Sequence, residues 1–116
     1  MSSPLDFTFG SYLGIQMVPI AATAAGNNTV LAAVPDQRWV VLYMVIGSGP
    51  AGDTLTIFSG GTAVSGAMVI PNNFGPAPFG NSGQPIARAL NVNQALIFNL
   101  VAGNDITGWA IIGTTR

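Results

Sequence analysis

Cysteine, histidine, lysine and glutamate are all missing from the sequence. Without cysteine there are no disulfides, no thiolate chemistry and no cysteine-held metal, and the absence fits any redox compartment. Without histidine, lysine or glutamate, general acid–base work falls to four aspartates in four separate segments. General acid–base catalysis needs a titratable group close to its task, so neither an enzyme nor a cofactor is expected.

Charge of either sign is scarce. Charged residues make up 6% of the chain, where about a quarter is usual. They are Asp6, Asp36, Arg38, Asp53, Arg88, Asp105 and Arg116, for a net charge of −1. Three scattered arginines form no basic patch, which argues against nucleic acid as a partner. The strongest apolar run, Trp39 to Ile46, is eight residues, well short of the ~20 that span a bilayer. No membrane association is expected, and no basic segment precedes an apolar run to suggest a secretory signal. Disorder is excluded too, because hydrophobic residues are 49% of the chain and disordered chains are poor in them. A small isolated protein keeps its surface charged to stay soluble. This one cannot, so its surface is either uncharged polar or covered.

What is present is strand. Glycine and proline recur every few residues, and no twelve-residue window keeps a helical period unbroken. Short runs of Val, Ile, Leu, Thr and aromatics lie between turn residues. The reading is an N-terminal arm over 1–12 and a single domain over 13–116. Strands are predicted at 13–22, 29–34, 38–46, 54–59, 62–70, 94–101 and 106–114, with a short strand or extended segment at 85–90 and Gly66 as a candidate bulge. About eight strands and no significant helix predict an all-β, antiparallel β-sandwich, jelly-roll-like. Strict alternation through RWVVLYMVI at 38–46 puts Arg38, Val40, Leu42, Met44 and Ile46 on one face. Trp39, Val41, Tyr43 and Val45 fall on the other. Both faces are apolar, whereas a strand of a simple two-layer sandwich has one polar face. A second subunit, or a segment of the same chain, is therefore expected over the outside.

Residues 71–85, PNNFGPAPFGNSGQP, read as a long loop stiffened by four prolines, since proline fixes φ. Phe74 and Phe79 either cap the open end of the core or plug a neighbouring subunit. Asp53 and Asp105 sit in Gly/Asn turns, as residues bonding their own backbone or as part of a weak calcium site. Asp36 and Arg38 share a face if both are in strand geometry, which suggests a local ion pair or one across a subunit boundary. Arg88 is either an interface anchor or a solvated residue. GSGPAG at 47–52 lacks the lysine and following helix of a phosphate loop. Asn27-Asn28-Thr29 matches a glycosylation sequon, without meaning unless the chain is secreted. Trp39, Trp109, Tyr43 and Tyr12 offer a sugar-stacking surface, although mid-strand tryptophans usually serve a core or an interface.

From about residue 38 to 114 the pattern resembles a family of small jelly-roll virion proteins of tailed bacteriophages. The residues that carry it are RWVVLYMVIGSGPAG at 38–52 and DTLTIFSGGTAVSGAMVIPNN at 53–73. The Pro/Gly loop with aromatics follows, and then NQALIFNLVAGNDITGWAII at 93–112. The resemblance implies a compact β-sandwich module on a capsid or tail, of the decoration or cement type and often trimeric. It would be made in the host cytoplasm and contact itself and the major capsid protein or another virion protein. The N-terminal third is not matched, and the family often carries more Lys and Glu. The expected interface residues are Phe7, Phe9, Arg38, Trp39, Tyr43, Phe74, Phe79 and Arg88, with the arm and the Pro/Gly loop as reaching elements. The alternative is a tail- or fibre-associated jelly roll that recognises host carbohydrate.

Overall fold

The computed structural model describes residues 12–80 and 85–116. Over these residues the chain forms ten strands and no helix. They are β1 (Gly14–Ala22), β2 (Gly26–Leu31), β3 (Arg38–Ser48), β4 (Asp53–Ser59), β5 (Thr62–Ala63), β6 (Met68–Ile70), β7 (Ala77–Phe79), β8 (Ala87–Arg88), β9 (Leu96–Leu100) and β10 (Ile106–Thr115).

Two antiparallel sheets result. The first runs β1-β10-β3, with β7 and β8 sharing the far side of β3. The second runs β2-β9-β4, with β5 and β6 sharing the far side of β4. One core fills the space between them. The first sheet supplies Val18, Ile20, Trp39, Val41, Met44, Ile46, Ala110 and Ile112. The second supplies Leu55, Ile57, Ile70, Leu96, Phe98 and Leu100. The expected all-β sandwich is the architecture. Each fully buried large apolar side chain contributes about 1.5–3 kcal/mol.

The ten strands exceed the expected eight because one predicted strand breaks in two and the predicted long loop contributes another. The return strand at 62–70 breaks into β5 and β6, and the hydroxyl of Ser65 accepts the Ile57 N–H at 2.9 Å where a ladder carbonyl would stand. The long loop contains β7, which pairs Phe79 with Met44 and Ala77 with Ile46. The second strand starts three residues earlier than expected, at Gly26 rather than Thr29. Its turn is organised by the side chain of Asn28, which accepts the N–H groups of Thr23 and Ala24 and donates to the carbonyls of Ala24 and Phe98.

The face assignment in β3 is corrected by a bulge. Ile111 pairs with Tyr43 but Ile112 pairs with Val41, so Leu42 is an extra residue in the ladder. The bulge changes the parity of the strand. Trp39, Val41, Met44 and Ile46 all face the core, while Val40, Leu42, Tyr43 and Val45 face out. Strict alternation has Trp39 and Val41 opposite Met44 and Ile46, and one extra residue removes that opposition.

Candidate functional site

The outer face of the first sheet is the most unusual surface of the molecule. In β1 the inward residues are Val18, Ile20 and Ala22, so Ile15 and Met17 point outward, with Leu13 just before them. These three are 46%, 66% and 53% exposed. In register beside them stand Ile111 opposite Met17 and Tyr43 opposite Ile111. Trp109 lies between Pro19 and Val45. The half-buried rings of Tyr43 and Trp109 meet with centroids 5.8 Å apart and planes tilted by 46°. A continuous apolar band thus crosses β1, β10 and β3 on the side away from the core.

Tyr12 lies on the same face. A Cβ placed on Gly113 would meet Tyr12 ring carbons at 2.9 Å and a Leu42 methyl at 3.4 Å. The tyrosine ring therefore rests on the bare backbone of β10, which requires glycine there. Val40 and Leu42 are buried although they stand outside the core cluster. The second sheet presents a different outer face. Asn99 donates to the side chain of its cross-strand partner Asn27 at 2.8 Å, and Thr29, Thr54 and Thr56 stand near them. Two exposed valines, Val69 and Val101, flank Thr54.

The expected interface residues are distributed as follows. Phe7 and Phe9 lie outside the described residues, as does most of the 1–12 arm. Tyr43 is on the apolar outer face. Trp39 is 2% exposed and faces the core, where its indole N–H is buried without a partner among the described residues. Of the four aromatics considered for sugar stacking, Tyr12, Tyr43 and Trp109 share the outer face and Trp39 does not. Arg38 does not pair with Asp36; its Nη1 donates to the Arg116 carbonyl at 3.0 Å. Asp36 sits in a turn at φ 59° with its N–H on the side chain of Asn93. Arg88 is exposed on β8 opposite Val40. With Ala63, Val64, Pro85, Ile86 and Leu90 it lines a cleft of about 330 Å³ at the open edge between the sheets.

Phe74 and Phe79 pack against the core and against each other, with centroids 6.1 Å apart. Their loop is tied to the β3–β4 connection. The Ser48 hydroxyl accepts the Phe74 N–H at 2.9 Å and donates to the Pro71 carbonyl at 2.6 Å. The Ser48 N–H donates to the Phe74 carbonyl, and the Asn73 N–H to the Gly49 carbonyl. Within GSGPAG, Ser48, Gly49 and the Gly52 N–H are thus bonded to this loop.

Asp53 is a junction. Its carboxylate accepts N–H groups from Thr54 at 2.8 Å, Ala102 at 3.0 Å and Asn104 at 2.7 Å. Burial pushes the carboxyl up, but backbone donors from Ala102, Asn104, Thr54 and Val101 outweigh it and hold the group below its ordinary value. Among the described residues no three acidic, histidine or cysteine side chains group to hold a metal.

Sequence reasoning missed Ile15 and Met17 as surface residues. The signal was the alternation Leu13, Ile15, Met17 beside Val18, Ile20 and Ala22, which gives β1 two apolar sides that shift in weight along its length. No family model, curated protein or solved structure matches this chain.

Proposed function

We propose that the protein is a structural virion subunit, of the capsid decoration or cement type, that works by subunit–subunit contact. The observation that carries this reading is the apolar outer face built from Ile15, Met17, Ile111, Trp109, Tyr43 and Val45. A contiguous apolar surface on a chain with so little charge marks an interaction site. Covering it is favourable by ~25 cal/mol per Å² before ordering costs. The strand order supports the jelly-roll reading, because β1→β2, β3→β4 and β9→β10 each cross from one sheet to the other. A homotrimer that also touches the major capsid protein is the assembly this reading implies.

Light scattering on the purified protein tests it. The expected result is an oligomer at low micromolar concentration that Met17→Asp converts to a folded monomer. A wild-type monomer that also fails to bind particles would overturn the reading.

A second reading is carbohydrate recognition on the same face, favoured by the adjacent rings of Tyr43 and Trp109 with Tyr12 nearby. Glycan-array binding abolished by Trp109→Ala but retained by Met17→Asp would replace the first reading with this one.

A further inference from the structure

β1 is the outermost described strand of the first sheet. Its first half is open on both faces: Gly14, Ile15, Gln16 and Met17 are all exposed, and burial begins at Val18. The strand is also uncharged, because the chain carries no charge between Asp6 and Asp36. Proteins blunt an edge strand with charged side chains, proline or a bulge, since its unpaired N–H and C=O groups are a template for another strand. Within β1 that device is Pro19, beyond the open half.

The hydrogen-bond parity of the sheet fixes which backbone groups are free. The Thr114 carbonyl accepts the Leu13 N–H, so Thr114 turns its backbone toward β1. By alternation Ile112 and Ala110 do the same. Their partners are Gly14, Gln16 and Val18, which therefore spend their N–H and C=O groups on β10. Ile15, Met17 and Pro19 turn theirs to the open side. Two prolines agree with this parity. Pro19 has no N–H to withhold from β10. Pro78 stands opposite Val45, whose backbone is turned to Trp109 and asks no donor of β7.

The free edge is complementary to itself. In an antiparallel pair of copies centred on Gln16, Ile15 of each copy meets Met17 of the other, and each of their N–H groups meets a carbonyl. On the outer face the Ile15 and Met17 side chains meet across the seam and carry the apolar band of one copy into that of the next. On the inner face Gln16 meets Gln16, and two primary amides can each give and accept a bond. Centring the pair on Met17 instead would set Ile15 against Pro19 and leave the Ile15 carbonyls without donors.

We propose that a second copy of this chain adds to the first sheet at β1, antiparallel and two-fold, with Gln16 on the axis. An isologous contact of this kind closes with two copies. The inference goes beyond the virion reading and does not rest on it, because the seam uses the edge of the sheet and leaves the outer face free to be covered.

The chain has no cysteine, so single cysteines report the register. Residues facing each other on the axis as a non-hydrogen-bonded pair have Cα atoms about 4.5 Å apart, within the reach of a disulfide. Gln16→Cys should cross-link to a dimer several-fold faster than Met17→Cys at low micromolar concentration, although Met17 is itself exposed. Equal rates, or a faster Met17→Cys, would overturn the pairing. In hydrogen exchange the Ile15 and Met17 amides should gain protection several-fold as concentration rises, while that of Gln16 is protected throughout. Protection at Ile15 and Met17 that ignores concentration would assign the edge to the chain's own residues and overturn the proposal, as would none at any concentration. Gln16→Asp places like charges face to face on the axis and leaves the outer face intact, so it should abolish the concentration-dependent protection. If Met17→Asp disperses the copies and Gln16→Asp does not, the outer-face contact stands and the edge pairing falls.

Discussion

The carboxylate of Asp53 accepts the backbone N–H of Asn104 at 2.7 Å, tying the start of β4 to the turn before β10. The same side chain holds the N–H groups of Thr54 and Ala102, and the Asn104 side chain returns a bond to the Gly52 carbonyl at 2.9 Å. Hydrogen bonds to a charged group are worth about 1.5–3 kcal/mol. Asp53→Asn keeps the shape but gives up the charge and one acceptor. It should cost about 1.5 kcal/mol, read as a lower denaturant midpoint at an unchanged slope.

The pH dependence follows from the same residue. The folded-state value of Asp53 lies below its ordinary one, so the folded state binds fewer protons than the unfolded. Its contribution is therefore fully present above the unfolded carboxyl value of about 3.9 and is lost as pH falls through the lowered folded value. Denaturation measured from neutral pH down to pH ~2 should show wild type losing stability in that acid window. The Asp53→Asn curve should be flatter, and two parallel curves would assign the acid sensitivity to other groups.

The two tryptophans should separate by quenching. Trp109→Phe leaves only the core residue Trp39, whose emission should be blue-shifted and resistant to acrylamide. Trp39→Phe leaves Trp109, whose emission should be red-shifted and quenchable unless association covers it. Equal accessibility of both would contradict the parity set by the bulge at Leu42.

Gly108 sits at φ 150°, and a Cβ there would collide with the Val45 carbonyl oxygen. Gly108→Ala should therefore cost several kcal/mol or prevent folding. Gly61 has no neighbour within 4 Å of the equivalent position and no positive φ. Gly61→Ala should stay within about 0.5 kcal/mol of wild type, and thermal melts of the pair make the comparison.

Phe79 pairs across from Met44 and packs on both Phe74 and the core. Full burial makes a Phe→Ala change cost 3–5 kcal/mol; this half-buried ring should cost about 2 kcal/mol. Phe79→Ala is expected to lower the subunit's own melting temperature more than it weakens association. The reverse order would return the loop to the role of an intersubunit plug.

The strands were legible because their cues are local. LTIF in β4 and LIFNL in β9 alternate cleanly, and the Gly60-Gly61 turn follows directly from residue type. The faces of β3 were not legible, because Val, Leu and Trp are at home on either side of a strand buried on both. Only the partner strand reveals that Leu42 is counted out of the ladder. The Pro/Gly loop hid β7 for a similar reason. Its pairing to β3 is a tertiary choice that three residues, one of them Pro78, do not announce. The apolar outer face was anticipated from β3 alone, but its widest part, at Ile15 and Met17, depends on β1 lying next to β10. The turn reading of Asp53 captured its bond to Thr54, while its bonds to Ala102 and Asn104 join segments 49 and 51 residues apart.

The bulge at Leu42 also decides how this chain can diverge. A strand read by parity tolerates exchange among apolar side chains almost anywhere along it, since either face accepts them. It does not tolerate loss of the bulge at its present length. Regular pairing of every residue would rotate the Trp39 end of the strand by half a turn. The indole would move to the surface, and Val40 would replace it in the core. For this protein, spacing within β3 is a more durable inheritance than the identity of any residue in it.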